Sequence, residues 1–293
     1  MLYDIGLRIL YDYAGPVAGG RHVARLVPVD LPGEQRLVAG RLDIEPEPDE
    51  RWHGTDFFGN PTVEFAFRAA HEDVTLKVTA RVERFAPPAR DDASPGLAVL
   101  AAEIAGWRGL GAQAPVHFTS PSARVPVHPE FTAYARSATQ GAATTRAAVI
   151  ALGEALHRDM KYDAEATEVD TPTLDAFRLR HGVCQDFSHV MIACLRALGV
   201  PAGYVSGFLR TIPPPGKPRL EGADAMHAWV RAWCGADMGW VEYDPTNAAL
   251  ARADHIVVAR GRDYADVVPV KGILRGGGGH TSEHAVDVKP IER

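Results

Sequence analysis

Phe187, Met191, Cys194, Leu195 and Leu198 recur at helical spacing, so residues 184–198 predict a helix with one face built for a core. His181-Gly182-Val183 before it reads as a turn, which makes Cys184 the residue that opens the helix. A thiol in that position lies among N–H groups without intrahelical acceptors, at the positive end of the helix dipole, and the thiolate is favoured there. A lone cysteine is more often a small buried hydrophobe. Its meaning therefore depends on what the rest of the chain brings near it.

The chain has 293 residues, enough for two domains or one domain with an appendage. With 46% hydrophobic and 23% charged residues it has the composition of a globular protein. A net charge of -6 leaves no basic footprint, so neither nucleic acid nor a membrane surface is an expected partner. No apolar run approaches a membrane span, and Met1-Leu2-Tyr3-Asp4-Ile5 starts as an alternating strand rather than a signal peptide, so a cytoplasmic location is expected. Three cysteines, Cys184, Cys194 and Cys234, with no CxxC, suggest neither a disulfide framework nor a cysteine zinc site.

Residues 1–90 read as an all-β domain. Ile5–Tyr11, His22–Val29 and Arg36–Ile44 predict strands between Gly/Pro clusters, and Phe57-Phe58-Gly59-Asn60-Pro61 predicts a turn joining Trp52–Phe58 to Thr62–Arg68. Val74–Phe85 alternates cleanly, which suggests an antiparallel sandwich or barrel-like domain with one wet face. His22, His53 and His71 fall on different segments without ligand spacing and read as structural. Residues 91–126 form a linker region that opens after Pro87-Pro88 and holds a possible helix, Leu97–Trp107. Residues 127–293 then read as a core with a C-terminal β extension. Its helices are expected at 142–160, from the start signal Thr171-Pro172-Thr173-Leu174, with Pro172 in the first turn, to a stop at Gly182, and at 184–198, and its strands at 202–211, 226–233, 240–246, 255–270 and 286–291. Pro213-Pro214-Pro215-Gly216 opens a loop running to Asp224, and Gly276–Gly279 a second one.

His227, Trp229, Arg231 and Trp233 lie on one side of the first strand of a hairpin whose turn is Gly235–Gly239. Asp244 lies on the returning strand, at the end away from the turn. An opposed or a diagonal register would bring His227 and Asp244 into contact. A thiol at a helix start, a histidine and an aspartate are the parts of a nucleophile, a base and an orienter. The backbone N–H of Cys184 would be the first oxyanion donor.

Gly-Val-Cys-Gln-Asp-Phe at 182–187, Arg-Ala-Leu-Gly-Val-Pro-Ala at 196–202, Tyr-Val-Ser-Gly-Phe at 204–208, His-Ala-Trp-Val at 227–230 and Trp-Val-Glu-Tyr-Asp-Pro-Thr-Asn at 240–247 resemble the transglutaminase-like core. Thr55–Asn60 resembles the β-rich N-terminal domain of bacterial members, and His255-Ile256 with Gly261–Val267 resembles their C-terminal continuation. The resemblance implies an α+β, papain-like core with Cys184, His227 and Asp244 as catalytic residues, and no cofactor or metal. The resemblance does not settle the reaction, because such cores serve as protein crosslinkers, peptidases and amidases; since water is always available, the expectation leans to a cysteine protease or amidase acting through an acyl-thioester on a peptide or protein substrate. The alternatives are transfer to an amine acceptor, as in a transglutaminase, and a non-catalytic binding module. No acidic calcium-binding run lies near the core, which disfavours a calcium-activated crosslinker. Met226 stands where that family would place a small residue.

Other residues carry plainer readings. Cys194 is expected in the core, His181 and His189 as surface or structural, and Asp186 as a first-turn carboxylate. Asp186 and Asp224 are rivals to Asp244 as orienter. Trp229, Trp233 and Trp240 read as packing residues rather than a cleft lining.

Overall fold

The structure, a computed structural model, describes residues 1–86, 90–211, 222, 224–276 and 278–291. Pro87-Pro88 and nearly all of the loop expected between Pro213 and Asp224 lie outside the described residues, as does Gly277.

The strands in chain order are β1 Leu2–Ala24, β2 Gln35–Glu45, β3 Glu50–Thr55, β4 Pro61–Phe67, β5 His71–Arg84, β6 Lys161–Tyr162, β7 His181–Gly182, β8 Ala202–Leu209, β9 Ala225–Trp233, β10 Trp240–Asp244, β11 Ala249–Leu250, β12 His255–Gly261, β13 Val270–Arg275 and β14 His280–Ile291. The helices are α1 Leu97–Gly106, α2 Pro129–Ala138, α3 Thr145–Asp159, α4 Thr173–Leu179, α5 Cys184–Ala197 and α6 Tyr264–Val267, with a 3-10 turn at Pro115–Phe118.

Seven of the strands form an antiparallel sheet curled as a half-barrel, in the order β2-β5-β1-β4-β3 with β13 and β14 also on β1. The two strands expected at Ile5–Tyr11 and His22–Val29 are one continuous strand. Its Gly/Pro segment is absorbed by register shifts, between Asp12 and Val17 against β5 and between Ala18 and Arg21 against β13. Bulges of this kind bend a strand without ending it. The bend also changes the partners of β1, from β5 and β14 in its first half to β4 and β13 in its second.

The C-terminal strands, grouped by sequence with residues 127–293, thus hydrogen-bond to the first strand of the chain. Alternation marks a strand but does not name its partner. The strand expected at 255–270 ends at Gly261, and α6 follows it. The 91–126 segment is packed rather than free, burying Leu100, Phe118 and Val125.

The second sheet is antiparallel in the order β11-β10-β9-β8-β12. Helix α5 packs on β9 and β8 and is enclosed by α2, α3 and α4. Every side chain from Gln185 to Leu195 is consequently buried, polar Ser188 and His189 included. A helix covered all round needs no wet face, so the single apolar stripe in the sequence understates its burial. One continuous apolar core joins the two sheets, from Tyr3 and Ile5 through Phe187 and Val230 to Val288.

Candidate active site

The segment before the nucleophile is fixed at both ends. Helix α4 stops at Arg180 rather than Gly182. Arg180 takes a left-handed φ of 58° and lays its guanidinium 3.9 Å from the centre of the Phe177 ring. His181 and Gly182 then pair in parallel with Lys161 and Tyr162. Val183 is extended and Cys184 begins α5. The Asp186 carboxylate turns back to accept the Val183 N–H at 2.8 Å and the Thr167 hydroxyl at 2.6 Å, closing the first turn. Asp186 therefore caps the helix that carries the nucleophile, as its first-turn position suggested. Cys184 itself is half-buried.

The hairpin register is set by Tyr243 opposite Val230 and Glu242 opposite Arg231. Asp244 is the next residue on β10 and His227 lies three residues before Val230 on β9, which makes them a diagonal pair on one face. His227 Nε2 lies 2.7 Å from Asp244 Oδ2. Cys184 is the other polar neighbour of His227, close enough to raise its pKa. With Nε2 committed to Asp244, its Nδ1 is the atom that serves the sulfur. Helix α3 helps to hold β10 in place, because a Cβ at Gly153 would lie 2.0 Å from the Tyr243 ring. Only glycine lets the strand carrying Asp244 approach this closely.

Asp244 is fully buried and saturated with donors. Its Oδ2 accepts from His227 Nε2, from Asn247 Nδ2 at 2.7 Å and from His255 Nε2 at 3.1 Å. Its Oδ1 accepts the backbone N–H groups of Thr246 at 2.9 Å and Asn247 at 3.2 Å. Burial alone would raise the Asp244 pKa, but the His227, His255 and Asn247 donors hold it well below the usual carboxylate range. Burial likewise opposes charge on His227. The hydrogen bond to Asp244 and the proximity of Cys184, with the charges of both, outweigh it and lift the pKa from 6.5 to about 10. His227, Asp244 and His255 place their ligand atoms within 4.8 Å of one another. Both imidazole Nε2 atoms face the same Asp244 oxygen, an arrangement that fits two N–H donors on one carboxylate.

Sequence reasoning missed His255 and Asn247 as neighbours of the site. Asn247 had a signal, since Asp-Pro-Thr-Asn is turn chemistry in which the aspartate accepts local N–H groups. His255 had only an indirect one. It begins β12, at the far edge of the sheet, beyond β8 from β9. Gly207 on β8 makes the approach possible, because a Cβ there would sit 2.1 Å from the Ile256 carbonyl oxygen and 2.5 Å from Trp229 Cη2.

The rivals are placed elsewhere. Asp224 accepts the N–H groups of Thr211 and Val288, the latter on β14. His189 is buried, not at the surface. Burial pushes its pKa down to about 4, and it accepts the Tyr264 N–H. Cys194 and Cys234 are buried too, and burial pushes the Cys234 thiol up to about 12. Trp229 and Trp233 are buried in packing positions. Tyr162, 61% exposed, stands on β6 beside the nucleophile, and burial together with the nearby Cys184 raises its pKa.

Behind the hairpin lies a buried ionic network. Glu242 accepts from Trp229 Nε1 at 3.0 Å and pairs with Arg260 and Arg84, while Glu34 pairs with Arg260. Arg231 lies 3.9 Å over the Trp240 ring and donates to Gln113 at 2.7 Å. Arg84 comes from β5 of the first sheet and the half-exposed Glu34 from the turn before β2, so this network ties the first sheet to the second beneath the site.

Two family models match the chain. The transglutaminase-like superfamily core matches residues 132–245, and the bacterial transglutaminase-like N-terminal region matches residues 3–83. The chain belongs to the transglutaminase-like superfamily. Among the relatives of this transglutaminase-like protein, an uncharacterised protein of Mycobacterium tuberculosis strain H37Rv is 35% identical over 99% of the chain and 93% of its own length. A protein-glutamine gamma-glutamyltransferase of Pseudomonas aeruginosa is 33% identical over 48% of the chain and 20% of its own length. A solved protein from Cytophaga hutchinsonii, described as a candidate cysteine protease, shares the fold. Its TM-score is 0.78 at 20% identity, covering 100% of this chain and 91% of that one. Among the described residues no helix is long and apolar enough to cross a membrane. The core match ends one residue past Asp244, so His255 lies outside it.

Proposed function

We propose that this transglutaminase-like protein is a cysteine acyl-transfer enzyme acting on amide bonds, with hydrolysis as its main outcome. Cys184 is the nucleophile, His227 the base and acid, and Asp244 the orienter. One observation carries the reading: a chain of polar neighbours runs from Asp244, through its hydrogen bond to His227, to Cys184 at the N-terminus of α5.

The steps follow from that chain. The Cys184 thiolate attacks the amide carbonyl carbon, and the oxyanion is received by the Cys184 N–H, which lies in the first turn, where helix N–H groups lack internal acceptors. The carbon–nitrogen bond breaks as His227 gives its proton to the departing amine, leaving an acyl-thioester. Water then attacks the thioester while His227 takes its proton, and the carboxylic acid leaves as the thiolate is restored. Water needs no binding site of its own, whereas transfer needs a site that admits an amine and excludes water. The substrate is a peptide or isopeptide-like amide.

Amine transfer is the second reading. It is favoured by the likeness of half the chain to the Pseudomonas aeruginosa protein named a protein-glutamine gamma-glutamyltransferase.

Two measurements test these readings. Iodoacetamide should modify Cys184 quickly well below pH 8 and slowly once His227 is replaced by alanine. Labelling no faster than that of an unfolded thiol would leave a binding module instead of an enzyme. A glutamine-containing peptide donor offered with and without a primary amine separates the two reactions by product mass. Free acid as the main product supports hydrolysis, and predominant amine adduct at modest amine concentration overturns it.

A further inference from the structure

Two imidazoles donate to one carboxylate oxygen, and the reaction just described uses only the first. His255 Nε2 lies 3.1 Å from Asp244 Oδ2, the atom that His227 Nε2 approaches to 2.7 Å. At the other edge of the His255 ring, the backbone N–H of Arg252 donates to Nδ1 at 3.3 Å. A nitrogen that accepts an N–H must keep its lone pair, so the proton of the neutral ring sits on Nε2 and faces Asp244. The backbone of its own turn thus selects the tautomer of His255.

The second imidazole is also held from the side. His255 meets Trp229 edge to face, with centroids 5.1 Å apart at 79°, and Trp229 lies nearly parallel to His227 at 6.2 Å and 28°. Trp229 is anchored in turn by its N–H to Glu242. Among the described residues, the charged or titratable groups that meet this cluster are Asp244 and, through Trp229, Glu242 from β10, His227 from β9, and Cys184 beside His227. On the His255 turn itself are Arg252 and Asp254, the latter paired with Arg210 at 3.4 Å and with the Tyr3 hydroxyl at 2.8 Å.

We propose, on the reading that Cys184, His227 and Asp244 form an acyl-transfer site, that His255 is a positioning residue: a neutral Nε2–H donor that shares the Asp244 carboxylate and so limits how tightly His227 holds its proton. Each N–H on Asp244 Oδ2 draws away charge that would otherwise stabilise the imidazolium of His227. The balance matters for the reaction, because an imidazolium that grips its proton too firmly is a poor acid toward a leaving amine. Asn247 and the backbone still hold the carboxylate in place when His255 is changed, so the effect falls on proton affinity rather than on geometry.

The test uses nitrogen-15-labelled histidine in the full chain and follows the two imidazoles by NMR across pH, in wild type, His255→Phe and His255→Gln. Phenylalanine keeps the ring and removes the donor, and glutamine restores an N–H of similar reach. In wild type the signals of the neutral His255 ring should report the Nε2–H tautomer. The His227 titration should move up by about one pH unit in His255→Phe, tenfold in proton affinity, and stay near wild type in His255→Gln. A His255 ring in the Nδ1–H form, or a His227 titration that is the same in all three proteins, overturns the proposal. The wild-type tautomer decides the matter even if the phenylalanine variant does not fold. Slow iodoacetamide labelling of wild-type Cys184 is a separate result, which removes the enzymatic reading and leaves the His255 tautomer measurement standing.

Discussion

His227 and Asp244 stand 17 residues apart in the chain and 2.7 Å apart in space, joined diagonally across two strands of one hairpin. Such a pair ties stability to pH, because each partner favours the charged form of the other. The His227 pKa is raised from 6.5 to about 10, so its contribution is complete below about pH 6.5 and is lost as pH rises through about 10. The Asp244 pKa is depressed, so its contribution is complete above its ordinary 3.8 and is lost only in acid. The stability difference between wild type and His227→Gln should be widest between those ordinary values and narrow toward pH 10. Urea unfolding at a series of pH values measures it. A difference that grows with alkaline pH would contradict the ion-pair description.

Asp244→Asn keeps the shape of the side chain but turns one acceptor oxygen into a donor. Five N–H groups now converge on the carboxylate. An amide can face either the backbone pair or the imidazoles with its oxygen, but not both. The expected result is a fall in acyl-transfer rate of about 10⁴-fold, the scale seen when an orienting aspartate is neutralised in a triad. Far-ultraviolet circular dichroism should show the fold retained. Activity close to wild type would remove Asp244 from its proposed role.

Glu242→Gln should be among the most damaging changes outside the site. The Glu242 side chain is only 9% exposed and lies among Arg84, Arg260 and Arg231. Burial alone would raise its pKa, and those cations pull it down to about 2. Neutralising it leaves the buried Arg84 and Arg260 guanidiniums with only the half-exposed Glu34 as countercharge, a loss approaching the about 3–5 kcal/mol of a broken buried pair. Its stabilising effect is complete above the ordinary value of 4.5 and fades as pH falls through about 2. Urea midpoints of the variant and of wild type at neutral pH check the size. A loss as small as that of a surface ion pair would show that the network is not a lock between the sheets.

Gly153→Ala places a methyl group into the Tyr243 ring, where the ideal Cβ position is only 2.0 Å from Cε1. Overpacking of this kind costs about 1–3 kcal/mol, and the strand that must shift is the one ending at Asp244. Stability and Cys184 reactivity should therefore fall together. A variant that loses stability with unaltered labelling would show that β10 moves without carrying Asp244 along.

Much of this arrangement was legible in the chain because it is written in local pattern. The 3.6-residue period after Cys184 marks α5, and the turn before it leaves the thiol at the helix start. The alternation of residues 226–233 and the glycines at 235 and 239 mark the hairpin that brings His227 toward Asp244. Each of these is a property of neighbours in sequence, since backbone geometry fixes which side chains share a face.

What only the tertiary structure decided are the meetings between distant segments. The bulged course of β1 made one strand of two and gave the C-terminal strands their partner. The diagonal register of β9 and β10 was set by side chains that had to pack on α3 and α5. His255 entered the site from the opposite edge of the sheet through the space left at Gly207. A strand's own residues state which face is apolar, but not which of several apolar faces will cover it. That choice is made by the combined burial of the whole core and by the need to satisfy each buried polar atom.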